Sequence, residues 1–407
     1  MHTLGQVYHQ KCSKILAVVN PTFLLWKKHC LSHGYCSLPL ASFAFDEFRK
    51  LCIEGRLNDA IQILYLRPHY SSSVSFSASF NCLLQGCIRY KDMETFNEAY
   101  SLIVKHGFET DSYLATSFIR MFAMHGSLSQ ADFVFAKLLE PDVVTWSAFI
   151  SAHSKHGKFE RVIDLYHRMK LSKIKPDGHV FVALLKACAD SATRVALLHG
   201  KLIHFHAIER GLGRALFVNN ALINMYSRCS DLEDATMVFE SLPKKDLVTW
   251  STMIGACVLY GCGSQAFNLF QRMQREGHFP DQITCVNALK ACCGVSALED
   301  GKVIHSLAVE NGFEKNVVMG STLMDMYAKC ADLEDAKTVF QALSKRDMIA
   351  WGAMIAGYTF NGKYWQAIQQ YKEMVQEGLK PNEIILLSVL SAYNQLGQID
   401  QIDSFLR

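Results

Sequence analysis

Cysteine and histidine hold most of the reactive chemistry this chain could offer, with 14 of the first and 16 of the second. Metal binding would need them at ligand spacing. No C-x-x-C occurs, and the nearest cysteine pairs are Cys82 with Cys87, Cys257 with Cys262, and the adjacent Cys292 and Cys293, which are not zinc spacings. His153 with His156, and His204 with His206, fall within single turns but lack a third ligand at a usable distance. Most cysteines, among them Cys188, Cys229, Cys292 and Cys330, sit in apolar helical patterns, where a small buried thiol is the ordinary occupant, and free thiols fit a reducing compartment. No metal and no cofactor is expected.

The elements that carry these residues follow from composition and periodicity. Of 407 residues, 50% are hydrophobic and 19% charged, with only 8 Pro and 24 Gly, which excludes disordered and collagen-like chains and fits a mostly helical protein. No apolar run approaches the roughly 18 residues of a membrane span, so no membrane partner is expected. The formal charge of +3, from 41 Lys and Arg against 38 Asp and Glu, neither demands nor excludes a polyanion. Any nucleic-acid footprint must be local. Length alone predicts two or three domains, a prior that fails if the chain is built from repeats.

Repeats are present. Trp146, Trp250 and Trp351 are 104 and 101 residues apart, and Pro176, Pro280 and Pro381 repeat both intervals. Their contexts read VVTWSAFI, LVTWSTMI and MIAWGAMI, then KPD, FPD and KPN. His204 and His305, Tyr226 and Tyr327, Cys229 and Cys330, and Asp246 and Asp347 all differ by 101, whereas Cys188 and Cys292 differ by 104. The three extra residues are therefore placed near 190–198, between helices. Each period divides into units of 35, 35 and 31 residues, and each unit contains two short helical patterns. Val162, Leu165, Tyr166 and Met169 form an i, i+3, i+4, i+7 stripe, as do Ala235, Val238, Phe239 and Leu242, and Ala336, Val339, Phe340 and Leu343. Such hairpins bury their apolar faces against neighbouring units.

These motifs resemble the pentatricopeptide repeat. The segment at 143–177 resembles the P type, that at 282–316 the L type and that at 317–347 the S type, so the chain looks like a plant PLS-class pentatricopeptide repeat protein. The resemblance runs in the order L 77–111, S 112–142, P 143–177, L 178–215, S 216–246, P 247–281, L 282–316, S 317–347, P 348–382 and an incomplete L 383–407. Residues 41–76 read as a degenerate repeat and residues 1–40 as an organelle-targeting leader or disordered segment. The implied fold is all-α, a right-handed superhelical solenoid of helix-turn-helix repeats. The tetratricopeptide alternative has a period of about 34 that does not fit the 35, 35 and 31 alternation.

What the family implies for function is recognition of single-stranded RNA, about one base per unit. By resemblance, the fifth and last residues of a unit meet the base edge. In the P-type units these are Ser147 with Asp177, Ser251 with Asp281, and Gly352 with Asn382. In the S-type units they are Thr116 with Asp142, Asn220 with Asp246, and Ser321 with Asp347. The L-type unit at 77 offers Asn81 with Asp111, while the apolar Val182 and Val286 leave the other L units with little to read. A small hydroxyl with Asp suits guanine in the family's code, and Asn with Asp suits uracil. Second residues would stack on bases: Val144, Phe217, Val248, Val318 and Ile349. Lys155, Arg228 and Lys329 stand where the family places a basic residue near phosphate; Leu259 and Phe360 depart from that. Each boundary acid has a plainer reading as a helix cap.

Relatives of this class often add a zinc deaminase domain, which requires H-x-E and P-C-x-x-C. Neither occurs here, so the chain is expected not to be an enzyme. It would direct transcript processing, C-to-U editing first, by recruiting an editing deaminase or accessory factors in trans. The alternatives are an RNA stabiliser or translation factor acting by site occupancy, and a protein-interaction scaffold. Residues 1–45 contain Lys11, Lys14, Lys27 and Lys28 and no acid, an acid-poor start that suits organelle import; the organelle is a mitochondrion or a chloroplast, with a slight lean to the first.

Overall fold

Apolar residues recurring at every third and fourth position fold this chain into helices, with no strand among the described residues, which are 39–66, 73–295, 297–343 and 346–397 of a computed structural model. The helices come in pairs: α1 (Pro39–Glu54) with α2 (Leu57–Leu66), α3 (Ser73–Tyr90) with α4 (Met93–Lys105), α5 (Ser112–Met124) with α6 (Leu128–Ala136), and α7 (Val143–Lys155) with α8 (Phe159–Leu171). There follow α9 (Gly178–Ser191) with α10 (Arg194–Glu209), α11 (Leu216–Arg228) with α12 (Leu232–Ser241), and α13 (Leu247–Leu259) with α14 (Gly263–Arg275). The described residues end with α15 (Gln282–Val295) and α16 (Leu298–Glu310), α17 (Val317–Lys329) and α18 (Leu333–Ala342), α19 (Met348–Phe360) and α20 (Tyr364–Gln376), and α21 (Glu383–Gln395). The chain divides into two units, residues 1–187 and 188–407. The leader assigned to the first 40 residues lies almost wholly outside the described residues.

The stripes read from sequence are the core. Val162, Leu165, Tyr166 and Met169 are buried on α8, and Ala235, Val238, Phe239 and Leu242 are buried on and just after α12. Burial of each large side chain contributes about 1.5–3 kcal/mol. The tryptophans join consecutive repeats edge to face: Phe135 with Trp146 at 4.7 Å between centroids in the first unit, Phe239 with Trp250 at 5.0 Å and Phe340 with Trp351 at 4.8 Å in the second. Five of the turns between paired helices carry a left-handed glycine, such as Gly157 at φ 66, and in two more Lys91 and Ala192 take the same conformation at φ 57 and 50. Ser230 and Ala331 hold the same conformation at φ 66 and 62, where a Cβ costs about 1 kcal/mol.

The three extra residues are not in the connection between helices. α9 and α15 both have 14 residues, but α10 has 16 and α16 only 13. The insertion is wound into the first turn of α10, whose start is capped by Thr193 Oγ1 accepting from the Ala196 amide at 3.1 Å. A helix absorbs three residues at its end as nearly one turn.

A second device repeats at 101 residues. Gly200 and Gly301 lie so close to the facing helix that a Cβ would fall 2.4 Å from the sulfur of Met225 or Met326. One turn on, His204 Nδ1 meets the Tyr226 hydroxyl at 2.9 Å, and His305 Nδ1 meets that of Tyr327 at 2.7 Å. Lys201 bridges Asp231 and Asp234 at 2.9 and 2.8 Å, and Lys302 bridges Asp332 and Asp335 at 3.3 and 3.2 Å. Burial pushes both tyrosines up to about 12 and both histidines down, against the opposing pull of Asp234 on His204 and of Asp335 and Glu314 on His305. A histidine whose folded value is depressed stays neutral in the fold while the unfolded chain takes up a proton first. Its stabilisation is therefore complete above the ordinary histidine value and is lost as pH falls through the folded one. The thermal midpoint is expected to drop on acidification from pH 7.5 to 5, and paired substitution by Asn, which keeps an acceptor near the Nδ1 position, should flatten that drop. Circular dichroism melts across the range check it.

Burial also pushes the thiols of Cys87, Cys188 and Cys292 up to about 12, as inert core cysteines require. Cys82 departs from that pattern. A bond from Cys52 lowers it most; burial opposes, and Arg49 and Arg89 assist, leaving it at about 7.

Candidate nucleic-acid interface

The boundary acids are all built into helix starts. Asp111 accepts from the Tyr113 amide at 2.8 Å, Asp142 from Thr145 at 2.8 Å, Asp177 from Val180 at 2.9 Å, Asp246 from Thr249 at 2.8 Å and Asp281 from Thr284 at 2.8 Å. Asp347 accepts from Ile349 and Ala350, both at 3.0 Å, and Asn382 from Ile385 at 3.0 Å. Each thus caps the first helix of the following repeat, where a polar acceptor is worth about 0.5–2 kcal/mol over alanine. For Asp142, Asp177, Asp246, Asp281 and Asp347 these bonds fall on one oxygen, Oδ1. No capping bond falls on the second oxygen of these carboxylates, so a cap and a base contact need not compete for the same lone pairs.

The fifth residues differ in how they stand to these acids. Asn220 is brought to Asp246, with Nδ2 3.5 Å from Oδ1, and its own Oδ1 is buried without a hydrogen-bond partner. Burial works against the Asp246 charge, but the Thr249 hydroxyl and amide and the Asn220 amide outweigh it and hold the carboxyl below the ordinary aspartate value. Thr116 is buried and reaches Asp142 only through a relay: its Oγ1 lies 3.3 Å from that of Thr145, which donates to Asp142 at 2.7 Å. Asn81 accepts from the Ser117 hydroxyl at 3.0 Å, while Asp111 takes the Ser77 hydroxyl at 2.7 Å. Among the described residues no bond joins Ser147 to Asp177, Ser251 to Asp281 or Ser321 to Asp347. Ser321 donates to the Val318 carbonyl at 3.1 Å.

The second residues form the apolar part of the surface. Val144, Phe217, Val248, Val318 and Ile349 are 49–58% exposed although each stands on a core helix. Three equivalents were not singled out by sequence: Tyr113, Ile283 and Ile384, at 62%, 65% and 70%. They hold the second position of their units, so register alone was sufficient to find them. Flat or branched apolar groups held in water beside outward acceptors can hold a base and meet its edge.

All three basic positions are exposed, but two of their side chains are already engaged within the chain. Arg228 donates from Nε to the Ala189 carbonyl at 3.1 Å, and Lys329 pairs with Asp325 at 2.8 Å. Lys155, Arg228 and Lys329 each end a first helix, where a cation also answers the helix dipole. Phosphate attraction would have to displace those contacts.

Residues 141–190 and 245–294 match the PPR repeat family, and residues 220–247, 321–348 and 349–379 match the PPR repeat. The chain is 32% identical over 322 residues to pentatricopeptide repeat-containing protein At4g18520, chloroplastic, of Arabidopsis thaliana, covering 79% of this chain and 52% of that one. It is 31% identical over 356 residues to pentatricopeptide repeat-containing protein CRR2, chloroplastic, of the same plant, covering 87% and 53%. The chain spans about half the length of the relatives it matches. Among solved structures it is similar to the pentatricopeptide repeat protein PPR10 from maize, with a TM-score of 0.65 at 16% identity, over 93% of this chain and 59% of that one. PPR10 with cysteine-to-serine substitutions, in complex with an 18-nt PSAJ RNA element, matches at a TM-score of 0.65 and 16% identity over 89% and 60%. At that identity the likeness establishes the fold, an all-α solenoid of helix-turn-helix repeats.

Proposed function

This chain belongs to the pentatricopeptide repeat family, and on that premise we propose that it binds single-stranded organellar RNA sequence-selectively, one base to each competent S- or P-type unit of a PLS-ordered array. The observation that carries the reading is the unit boundary itself: a carboxylate pinned by one oxygen, with an exposed apolar second residue in the same repeat register. The domain reading follows, with 77–407 as the recognition array, 41–76 as a degenerate repeat and 1–40 as a leader. Catalysis is assigned to an editing deaminase or accessory factor in trans, with C-to-U editing as the process directed. Chloroplast is favoured over the slight lean to a mitochondrion, because several relatives carry chloroplastic names.

The full chain should bind a single-stranded RNA of about nine nucleotides at least about tenfold more tightly than the corresponding duplex, since stacking needs unpaired bases. Gel-shift titration at physiological salt decides it, and equal affinities would refute the reading. One observation favours a second function, that of a protein scaffold. The second helix of its repeat, α10, exposes Val195, Leu198, Leu202, Phe205 and Ile208. Crosslinking of the chain to RNA in organelle extracts separates the two.

A further inference from the structure

We infer that the hydroxyls of Thr145, Thr249 and Thr284 are positioning groups for base selection: each orients the carboxylate that the preceding unit would present to RNA. The inference rests on the proposal that those carboxylates meet bases. All three threonines are fully buried, and each is the third residue of a first helix. Their Oγ1 atoms donate to Oδ1 of Asp142, Asp246 and Asp281 at 2.7, 2.7 and 2.6 Å. That is the oxygen which already accepts the backbone amide.

The helix start does not require this second bond. Asp177 and Asp347 cap α9 and α19 through backbone amides alone, because the third residues there are Val180 and Ala350. What the hydroxyl adds is direction. Rotation about the bond to the carboxylate is broad and nearly two-fold, so a group held only by amides can rock about its cap. A side-chain donor on the same oxygen fixes the carboxylate plane and hence where the free oxygen points, before any RNA arrives, and removing that freedom beforehand strengthens the contact that follows. At Asp246 the Thr249 hydroxyl is also the first of the influences that favour the charge over burial.

The chain therefore contains two grades of one chemical pair. Thr116 with Asp142 and Ser251 with Asp281 are held by a threonine; Ser147 with Asp177 and Ser321 with Asp347 are not. Selectivity should be sharper at nucleotides facing the first two.

Selection of bound sequences from a randomised RNA pool by the full chain tests this. Thr249→Val keeps the shape and removes the hydroxyl; base preference at the fifth nucleotide is expected to fall about tenfold, the worth of one hydrogen bond to a charged group, with the other positions unchanged. Thr249→Ser should restore it, which a purely structural role would not predict. Val180→Thr is the reciprocal swap and should sharpen the third nucleotide by a similar factor, so the inference remains testable if the valine variant folds poorly. Unchanged profiles in Thr249→Val and Val180→Thr overturn it. Asp246→Asn keeps a capping acceptor and changes the group facing the base. A shift there without one in the threonine variants defeats this inference alone, whereas no shift in any variant defeats the RNA reading beneath it.

Discussion

Trp250→Ala is expected to cost about 3–5 kcal/mol and to loosen the chain locally before it unfolds globally. Trp250 is fully buried and stands edge to face with Phe239 across the boundary between two repeats, with the Arg272 guanidinium over its ring, 5.5 Å from the centre. In a stack of repeats each unit is held chiefly by its neighbours, so the loss should concentrate in residues 216–281. Hydrogen exchange would show early opening there, and denaturant melts would supply the total. The indole N–H of Trp250 is buried with no hydrogen-bond partner, as are those of Trp146 and Trp351. Trp250→Phe removes that unmet donor along with part of the packing, and should cost far less than the alanine change. Equal losses for the two substitutions would show that ring packing is not the source.

Asn220→Thr should move base preference at the fifth nucleotide from U toward G by on the order of 1–3 kcal/mol, the range for a well-placed polar base contact. Asparagine offers both a donor and an acceptor, and here the donor leans 3.5 Å toward Asp246 while the acceptor oxygen is buried and unmet. The unit at 112–142 shows what threonine would do instead. Thr116 folds back onto the Ser112 carbonyl and the Thr145 hydroxyl, leaving the boundary carboxylate as the group that remains outward. Sequencing RNA selected by both proteins from a random pool compares the profiles, and identical preference at that nucleotide would remove Asn220 from the reading surface.

The helical hairpins were legible because their stripes have the helical period: Val162 to Met169 lands on α8 with every member buried. From residue 112 onward position within the repeat was equally legible, since each first helix begins at its unit's first residue and the apolar second residues stand exposed; at the unit placed at 77 the helix begins earlier, at Ser73. The three-residue insertion was misplaced, because an offset between Cys188 and His204 cannot say whether extra residues lengthen a loop or a helix. The burial of Thr116 was hidden for another reason. It depends on Thr145, a residue 29 positions later in the next repeat, and no pattern within one unit contains it. The threonines at third positions were overlooked in the same way, since VTW and ITC read as ordinary helix beginnings until the acid three residues earlier is seen beneath the hydroxyl.

Because every boundary acid caps the helix of the next repeat, the chemical alphabet available at that position is constrained from two directions. Side chains that start helices well are few and short: Asp, Asn, Ser and Thr. Seven of the boundaries described above carry Asp or Asn in a capping bond, and the boundary at Ala215 starts α11 with no side-chain cap at all. Reprogramming a unit by exchanging its last residue would therefore also edit the folding of its successor. Swaps between Asp and Asn are close to neutral for the array, while a bulky or basic replacement would propagate as a loosened neighbour, and its apparent change of specificity would include a change in structure.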